Sequence, residues 1–292
     1  MSLYTIQNQR LTVTVSDRGA ELCSLKDRDG YEYVWQGKDP ALWQSHAPIL
    51  FPICGRLWSG RCTFEGREYE MGCHGFARQM SFSARPLGED ALELTVCANA
   101  ETLAVYPCDC CLTVTYRLRE NSLSCDVTVK NQGADPMPFS LGFHPGFNLP
   151  MDDTAFEDWS LVFSQPCRPK ECLVSESGFL TGEQVERPLR EDRILPLSHR
   201  LFDVNSPLYR EVAEEVCLCS PKSSRSVTLR YPEFLTLGLW HNEKTDAPFL
   251  CIEPWYGLPS VDGVRDDLST KADTITLAAG ESKTLGYLCT IH

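Results

Sequence analysis

The sequence lacks several features that mark large classes of proteins. No apolar run approaches the roughly 18 residues that a membrane-spanning helix needs. The first residues, MSLYTIQNQRLTVTVSD, contain no basic segment followed by an apolar stretch, so they do not indicate a signal peptide. GxGxxG and P-loop motifs are missing too, which disfavours nucleotide-binding folds. We therefore expect a cytoplasmic protein.

Basic residues are also fewer than acidic residues. The chain has 27 basic and 40 acidic residues among its 292, a formal net charge of −13. Because such a surface repels phosphate backbones and anionic lipids, neither a nucleic-acid nor a membrane partner is expected. A small phosphorylated sugar held by one or two local basic residues is compatible with this charge. The sequence indicates no particular oligomeric state.

Cysteine, by contrast, is abundant, with 15 residues. The chain is too long, and lacks the leader, for a small secreted disulfide framework. The tightest cluster, Cys108, Cys110 and Cys111, has no second pair at a zinc-ligand spacing. Five other cysteines fall in strand-like apolar runs, where a thiol packs as a small hydrophobe: Cys125, Cys217, Cys219, Cys251 and Cys289. We expect free structural thiols in a reducing compartment, and no metal site.

The clearest periodic signal has period two. Apolar and polar residues alternate from Cys111 to Arg119 and again from Leu123 to Lys130, with a polar turn between them. This pattern predicts an antiparallel hairpin with one buried face. Similar alternations, separated by turn residues every 8 to 12 positions or so, recur along the chain and indicate an all-β sandwich or barrel.

Helical periodicity is scarce. The pattern predicts a short helix from Tyr209 to Val216 and a single helical turn from Pro40 to Trp43. The charged, proline-punctuated stretch 165–207 is expected to form a long surface segment. No Gly/Ser-rich linker divides the chain, so we expect a single domain over residues 1–292.

Two histidines stand out from the six in the sequence. His74 is followed by glycine and His144 by Pro-Gly, which places both near strand ends, where binding loops sit on a rigid scaffold. A histidine in a β-protein is more often a hydrogen-bonded structural residue, and that interpretation stays open for both.

One carboxylate has an unusual setting. Glu253 follows the apolar run 249–252 and precedes an aromatic turn, so it should be partly desolvated and suited to accept a proton. A structural Glu–Arg pair is the alternative. The flat faces of Trp240 and Trp255 could contact the C–H side of a sugar. The alternative is that both side chains pack in the hydrophobic core, as tryptophan usually does. Glu253 could also form a glycosidase pair with Asp203 or Asp262.

Four motifs occur in the order in which one known family has them: HAPILFPICGRL at 46–57, GCHGFARQMSF at 72–82, FHPGFNLP at 143–150 and IEPWYGLP at 252–259. Together they resemble the aldose 1-epimerase (galactose mutarotase-like) family, and in particular its shorter bacterial branch associated with lactose-type sugar operons. The resemblance implies a β-supersandwich, mostly antiparallel, with an open cleft that binds a hexose. It implies no cofactor and no metal.

The resemblance also implies roles for individual residues. His144 would be the general acid that protonates the ring oxygen, and Glu253 the general base that removes the proton of the anomeric hydroxyl. His74 would hold and polarise the substrate. Arg56 and, on weaker grounds, Asp203 would bind sugar hydroxyls.

Two other functions remain as alternatives. A non-catalytic sugar-binding β-sandwich would need aromatic platforms but no acid–base pair. A glycosidase would need two carboxylates about 5–9.5 Å apart and would leave the histidine motifs without a role. If the sugar is phosphorylated, proximity in the sequence suggests four anchors: Arg56, Arg61, Arg67 and Arg78.

Overall fold

A computed structural model describes residues 1–39 and 41–292. Its strands in chain order are β1 (Leu3–Gln7), β2 (Leu11–Ser16), β3 (Leu22–Asp27), β4 (Ile49–Leu50), β5 (Arg61–Phe64), β6 (Arg67–Glu70), β7 (Ser83–Pro86), β8 (Ala91–Cys97), β9 (Cys110–Arg119), β10 (Ser122–Asn131), β11 (Met137–Phe139), β12 (Leu141–Phe143), β13 (Gly146–Asn148), β14 (Ser160–Phe163), β15 (Lys170–Val174), β16 (Leu180–Glu186), β17 (Ile194–Pro196), β18 (Leu208–Arg210), β19 (Glu215–Cys219), β20 (Val227–Arg230), β21 (Thr236–Trp240), β22 (Phe249–Tyr256), β23 (Ile275–Leu277) and β24 (Ser282–Ile291).

Helix is limited to short pieces in the described residues. These are α1 (Ala100–Val105) and four 3₁₀ turns at Trp58–Gly60, Ala77–Gln79, Phe156–Asp158 and His199–Phe202. No helix among them has the length and apolar character needed to cross a bilayer. The turn predicted at 40–43 includes position 40, which lies outside the described residues.

Two large sheets dominate the architecture. One has nine strands in the order β17-β14-β19-β20-β24-β10-β9-β8-β7. The other has eight, in the order β16-β15-β18-β21-β22-β12-β4, with β13 also paired to β22. Smaller sheets are β1-β2-β3, β11-β23 and β5-β6. The strands pair antiparallel, which confirms the all-β, supersandwich fold class expected from the sequence.

The predicted hairpin is present as β9 and β10. Leu118 faces Leu123 and Val114 faces Val127 across the pair, and these side chains are buried in the main hydrophobic core. The same core includes Ile252 of β22, so the two large sheets bury their facing sides against each other. This packing directs the alternate residues of β22 to the outer face of the eight-stranded sheet.

The prediction of a helix at 209–216 is wrong. Tyr209 lies in β18 of the eight-stranded sheet, whereas Val216 lies in β19 of the nine-stranded sheet. The chain crosses between the sheets within this segment, and pairing with distant strands overrides the weak local helical pattern. Part of the predicted excursion 165–207 also has regular structure, because β15 and β16 form a hairpin that extends one edge of the eight-stranded sheet.

One pair of cysteines departs from the expectation of free thiols. Cys97 and Cys111 occupy directly opposed positions of β8 and β9, with Cα atoms 4.0 Å apart, and are joined by a disulfide. The other 13 cysteines are free. The expectation was wrong for this pair because it depends on the register of two strands, which cysteine spacing alone does not reveal.

Candidate active site

The site is built on the outer face of β22. Glu253 and Trp255 point to this face, and Gly238 of β21 stands opposite Glu253 in the strand register. A Cβ on Gly238 would lie 3.3 Å from the Cβ of Glu253. Because glycine has no side chain there, the sheet surface beside the carboxylate stays open to a ligand.

His144 reaches this carboxylate from the neighbouring strand. It directly follows β12, which pairs with β22, and its Nε2 lies 3.2 Å from Oε2 of Glu253. The two residues are only 8% and 2% exposed. Their atoms are not aligned as a hydrogen bond, and Oε2 has no other hydrogen-bond partner in the described part of the chain. The carboxylate therefore retains a free acceptor next to the imidazole.

Burial shifts both groups toward their uncharged forms. Removal from water raises the pKa of Glu253 well above its usual value, an effect that the nearby Trp255 indole partly offsets. Removal from water also lowers the pKa of His144 well below its usual value, and the neighbouring His74 adds to this. Both shifts favour a neutral imidazole beside a protonated carboxyl group, so the pair can hold one proton in the buried site without carrying a charge.

His74 is held in one tautomer by Gly55. The backbone N–H of Gly55 donates to Nδ1 of His74 over 3.0 Å, and the N–H of His74 donates to the Gly55 carbonyl over 2.8 Å. Because Nδ1 accepts a hydrogen bond, the ring proton of neutral His74 is on Nε2, which makes that atom a donor. Burial, followed by the charges of Arg78 and Arg56, lowers the pKa of His74 to about 3.

The backbone around His74 explains the motif HGF. His74 and Gly75 have φ values of 64° and 68°, both in the left-handed region. A Cβ on Gly75 would lie 2.2 Å from the carbonyl oxygen of Phe51, so only glycine fits there. The same Phe51 carbonyl accepts the N–H of Phe76. This tight turn directs the imidazole of His74 into the site, where its ring centroid is 5.6 Å from that of His144.

Three tryptophans surround the histidines. The rings of Trp43 and Trp240 lie 4.9 Å and 5.5 Å from the ring of His144, and the ring of Trp255 lies 5.6 Å from that of His74. Their flat faces and indole N–H edges are suited to the alternating apolar and polar surface of a sugar. The indole nitrogen of Trp255 is buried without a partner among the described residues, so it is available as a donor.

These residues line a cleft of about 380 Å³, within the range of small-molecule sites. Arg56 and Arg78 lie on its His74 side, where their charges act on that ring. Their hydrogen bonds go to backbone carbonyls, those of Gly178 for Arg56 and Cys73 for Arg78. In the described part of the chain neither guanidinium forms an ion pair with a carboxylate, so both keep donors for a ligand.

Six of the seven residues expected to form the site line this one cleft: His144, Glu253, His74, Arg56, Trp240 and Trp255. The exception is Asp203. It is exposed at the end of the 3₁₀ turn 199–202 and lies outside the cleft lining. Phe202, fully buried, anchors this turn and leaves the next side chain in solvent. Geometry thus gives no support to a binding role for Asp203.

Sequence reasoning missed other parts of the lining. Asn205 and Ser206, close to Asp203 in the chain, line the cleft in its place, as does Trp43. These three residues carry no periodic or motif signal, since each lies in an irregular segment. Of the four arginines that the sequence suggests as phosphate anchors, Arg56 and Arg78 line the cleft, and Arg61 and Arg67 do not.

Comparison with known proteins places the chain in a family. Residues 2–261 match the family model described as aldose 1-epimerase. The chromosomal protein LacX of Lactococcus lactis is 34% identical over 265 residues, which cover 87% of this chain and 87% of that protein.

Solved structures are similar over the whole chain. A galactose mutarotase-like protein from Lactobacillus casei is 36% identical, with a TM-score of 0.93 and coverage of 100% of both chains. A galactose mutarotase related enzyme from Lactobacillus acidophilus is 32% identical, with a TM-score of 0.92 and coverage of 100% of this chain and 97% of that one.

The turn at Gly75 gives a test of local stability. Gly75→Ala should lower the free energy of unfolding by about 2–5 kcal/mol, because it adds left-handed strain to a clash with the Phe51 carbonyl. Gly66→Ala is the matched control: Gly66 has φ 74° and nothing within 4 Å of an added Cβ, so only about 1–2 kcal/mol should be lost. Urea unfolding measures both. Equal losses would contradict the proposed contact.

The low pKa of His74 predicts a pH dependence of stability. The pKa of His74 is about 3 in the folded protein and about 6.5 in the unfolded chain. Between these two pH values the histidine is protonated in the unfolded chain and neutral in the folded protein. The contribution of neutral His74 to the free energy of unfolding is therefore fully present above pH 6.5. It falls as the pH drops toward 3, by up to about 1.4 kcal/mol per pH unit.

His74→Asn tests this dependence, since asparagine tolerates the left-handed backbone. Between pH 7 and pH 5 the variant should lose about 2 kcal/mol less unfolding free energy than the wild type. The exposed His292→Asn serves as a control and should follow the wild-type curve. Parallel curves for all three proteins would show that His74 does not carry the effect.

Proposed function

The chain belongs to the aldose 1-epimerase family, and on that basis we propose that it interconverts the α and β anomers of a hexose by acid–base ring opening and reclosure. The observation that carries this proposal is the buried contact of 3.2 Å between His144 Nε2 and Glu253 Oε2. It offers one proton donor and one acceptor at a spacing that two neighbouring sugar oxygens can bridge.

In the proposed reaction Glu253 removes the proton of the anomeric hydroxyl while His144 delivers a proton to the ring oxygen. The bond from the anomeric carbon to the ring oxygen breaks, and an aldehyde forms. The aldehyde rotates about the adjacent C–C bond, and reversal of both transfers closes the ring to the other anomer. His74, which holds its proton on Nε2, donates a hydrogen bond near the ring oxygen and stabilises the negative charge that develops there.

The electrostatics of the pair favour this sequence. Ring opening uses the pair as an imidazolium and a carboxylate, the charged form that burial disfavours, and leaves it as a neutral imidazole and a carboxylic acid. Net charge is unchanged, but burial favours the uncharged forms of both groups. It therefore lowers the free energy of the open-chain state relative to the closed ring. The steps transfer protons and break and re-form one C–O bond without a net change of oxidation state, so they require no nicotinamide.

The alternatives receive less support from the cleft. A non-catalytic sugar-binding protein has no need for a buried acid–base contact. A glycosidase needs a second carboxylate in the cleft, and among the described lining residues the only one besides Glu253 is the exposed Glu243. Asp203 and Asp262, the partners suggested by the sequence, lie outside the lining.

We further propose that residues 1–292 act as one domain in the cytoplasm. One hydrophobic core that runs from Ile6 to Ile291 supports the first statement. The 13 free cysteines support the second, because a reducing compartment keeps thiols free.

Replacing either member of the pair tests the reaction. His144→Asn and Glu253→Gln should each lower the mutarotation rate by on the order of 10²–10⁴, the typical contribution of a general acid or base. Polarimetry on freshly dissolved α-galactose or α-glucose measures it. Asp203→Asn, exposed and outside the cleft, should retain a rate close to that of the wild type. Near-normal rates in both pair variants would refute the proposal.

The two cleft arginines favour an anionic substituent, so we include phosphorylated hexoses in the proposed substrate class. Arg78→Gln should raise KM for a hexose 6-phosphate by about tenfold or more, because hydrogen bonds to charged groups contribute about 1.5–3 kcal/mol. KM for the free hexose should change less. Arg67→Gln, on exposed β6 and outside the cleft lining, is the control. Equal changes for both sugars would exclude Arg78 as a phosphate anchor.

A further inference from the structure

A third metal-ligating side chain lies beside the acid–base pair. Cys251 precedes Glu253 by two residues in β22, so both side chains are on the same face of the sheet. Cys251 is fully buried and is not part of the cleft lining. One ligand atom from each of Cys251, Glu253 and His144 lies within 4.8 Å of the other two.

The spacing of these atoms suits a tetrahedral ion. Zinc bonds to nitrogen and oxygen are about 2.0–2.2 Å, which places neighbouring ligand atoms of a tetrahedron about 3.3–3.6 Å apart. The 3.2 Å between His144 Nε2 and Glu253 Oε2 nearly matches this value. All three ligand atoms lie within 4.8 Å of one another, so an adjustment of the Cys251 side chain would bring its sulfur to the longer zinc–sulfur distance of about 2.3 Å.

The carboxylate has capacity for a further ligand. Oxygen Oε2 of Glu253 is buried without a hydrogen-bond partner among the described residues, and a cation bound there would replace its direct contact with His144 Nε2. Because His144 and Glu253 also line the cleft, a water molecule or a sugar hydroxyl could supply a fourth ligand. Zinc accepts three protein ligands with one open position.

We propose that His144, Cys251 and Glu253 form a binding site for a thiophilic divalent metal ion such as Zn²⁺. Burial, followed by the charge of Glu253, raises the pKa of the Cys251 thiol well above its usual value, so the ion binds as this thiol releases its proton to solvent. Sulfur and imidazole ligands select zinc over magnesium or calcium, which prefer six or more oxygen ligands. A bound ion occupies the lone pairs that proton transfer uses. It therefore inhibits anomer interconversion in competition with the sugar, a consequence that rests on the proposed function, whereas metal binding itself does not.

A pair of cysteines elsewhere in the chain could also bind zinc. Cys217 and Cys219 lie two residues apart on one face of β19 and are only partly buried. A hydrogen bond from Cys219 lowers the pKa of Cys217 to about 6, so this pair would also bind a soft metal. The experiment therefore uses the full chain carrying Cys217→Ser and Cys219→Ser as the reference protein.

Zinc chloride is titrated into the reference protein and followed by calorimetry. Cobalt(II) is titrated separately and followed by its absorption, because tetrahedral thiolate coordination gives a charge-transfer band. We expect one equivalent of metal to bind. Adding Cys251→Ser should weaken zinc binding by at least tenfold and remove the band. Cys289→Ser is the matched control, since Cys289 is equally buried but lies in β24 of the other large sheet, and it should change neither.

Two further variants, Cys251→Ala and His144→Asn, ensure that the conclusion does not depend on whether one particular variant folds. Each should bind zinc at least tenfold more weakly than the reference protein. The proposal is overturned if the reference protein binds no zinc, or if Cys251→Ser binds it as tightly as the reference. Magnesium chloride at the same concentration should bind undetectably, and equal binding of both ions would also overturn it.

A parallel polarimetric assay separates this inference from the proposed function. Zinc should raise the apparent KM of the reference protein, and Cys251→Ala should remove that sensitivity. If no sugar is interconverted, the proposed function fails while the binding data still decide the metal site. If sugars are interconverted but zinc does not bind, the metal site alone fails.

Discussion

The hydrogen-bonded row of β21, β22 and β12 is the constraint on which the rest of the site depends. It places Glu253 between an open glycine position and the strand that ends at His144. Packing of the opposite face of β22 into the core between the large sheets keeps this row in place. A carboxylate and an imidazole, each buried, are thereby held in contact although burial disfavours both charges. The protein tolerates this because the pair can hold one proton in either of two places.

A second constraint is the reciprocal hydrogen-bonded contact between Gly55 and His74. It joins two of the sequence motifs through paired backbone and ring contacts and determines which nitrogen of His74 carries the proton. Gly75 makes the turn sterically feasible by leaving space for the Phe51 carbonyl. The HGF motif is thus explained by backbone geometry, and its chemical contribution is a neutral, oriented donor.

The charge distribution adds a third element. The chain as a whole is acidic, yet Arg56 and Arg78 both line the cleft and form hydrogen bonds only to backbone carbonyls among the described residues. An acidic surface repels polyanions over long distances, whereas two local guanidiniums can bind one small anion at short range. This combination suits a small sugar phosphate better than a polymer. The same cationic side of the cleft lowers the pKa of His74 and so helps to keep it neutral.

By itself the sequence determined the period-two strands, the all-β class and six of the residues that line the cleft. Alternation is a local property, so the hairpin of β9 and β10 could be predicted from adjacent residues, and glycine or proline after a histidine marks a strand end. The helix predicted at 209–216 was wrong because nothing local shows where a chain crosses between sheets. Asp203 lies outside the cleft lining because the buried neighbour Phe202 leaves it in solvent. Trp43, the Cys97–Cys111 disulfide and the contact between His144 and Glu253 were decided only by the tertiary structure. Each of these depends on strand register or loop path, which brings together residues distant in the chain and is set by packing of the whole core.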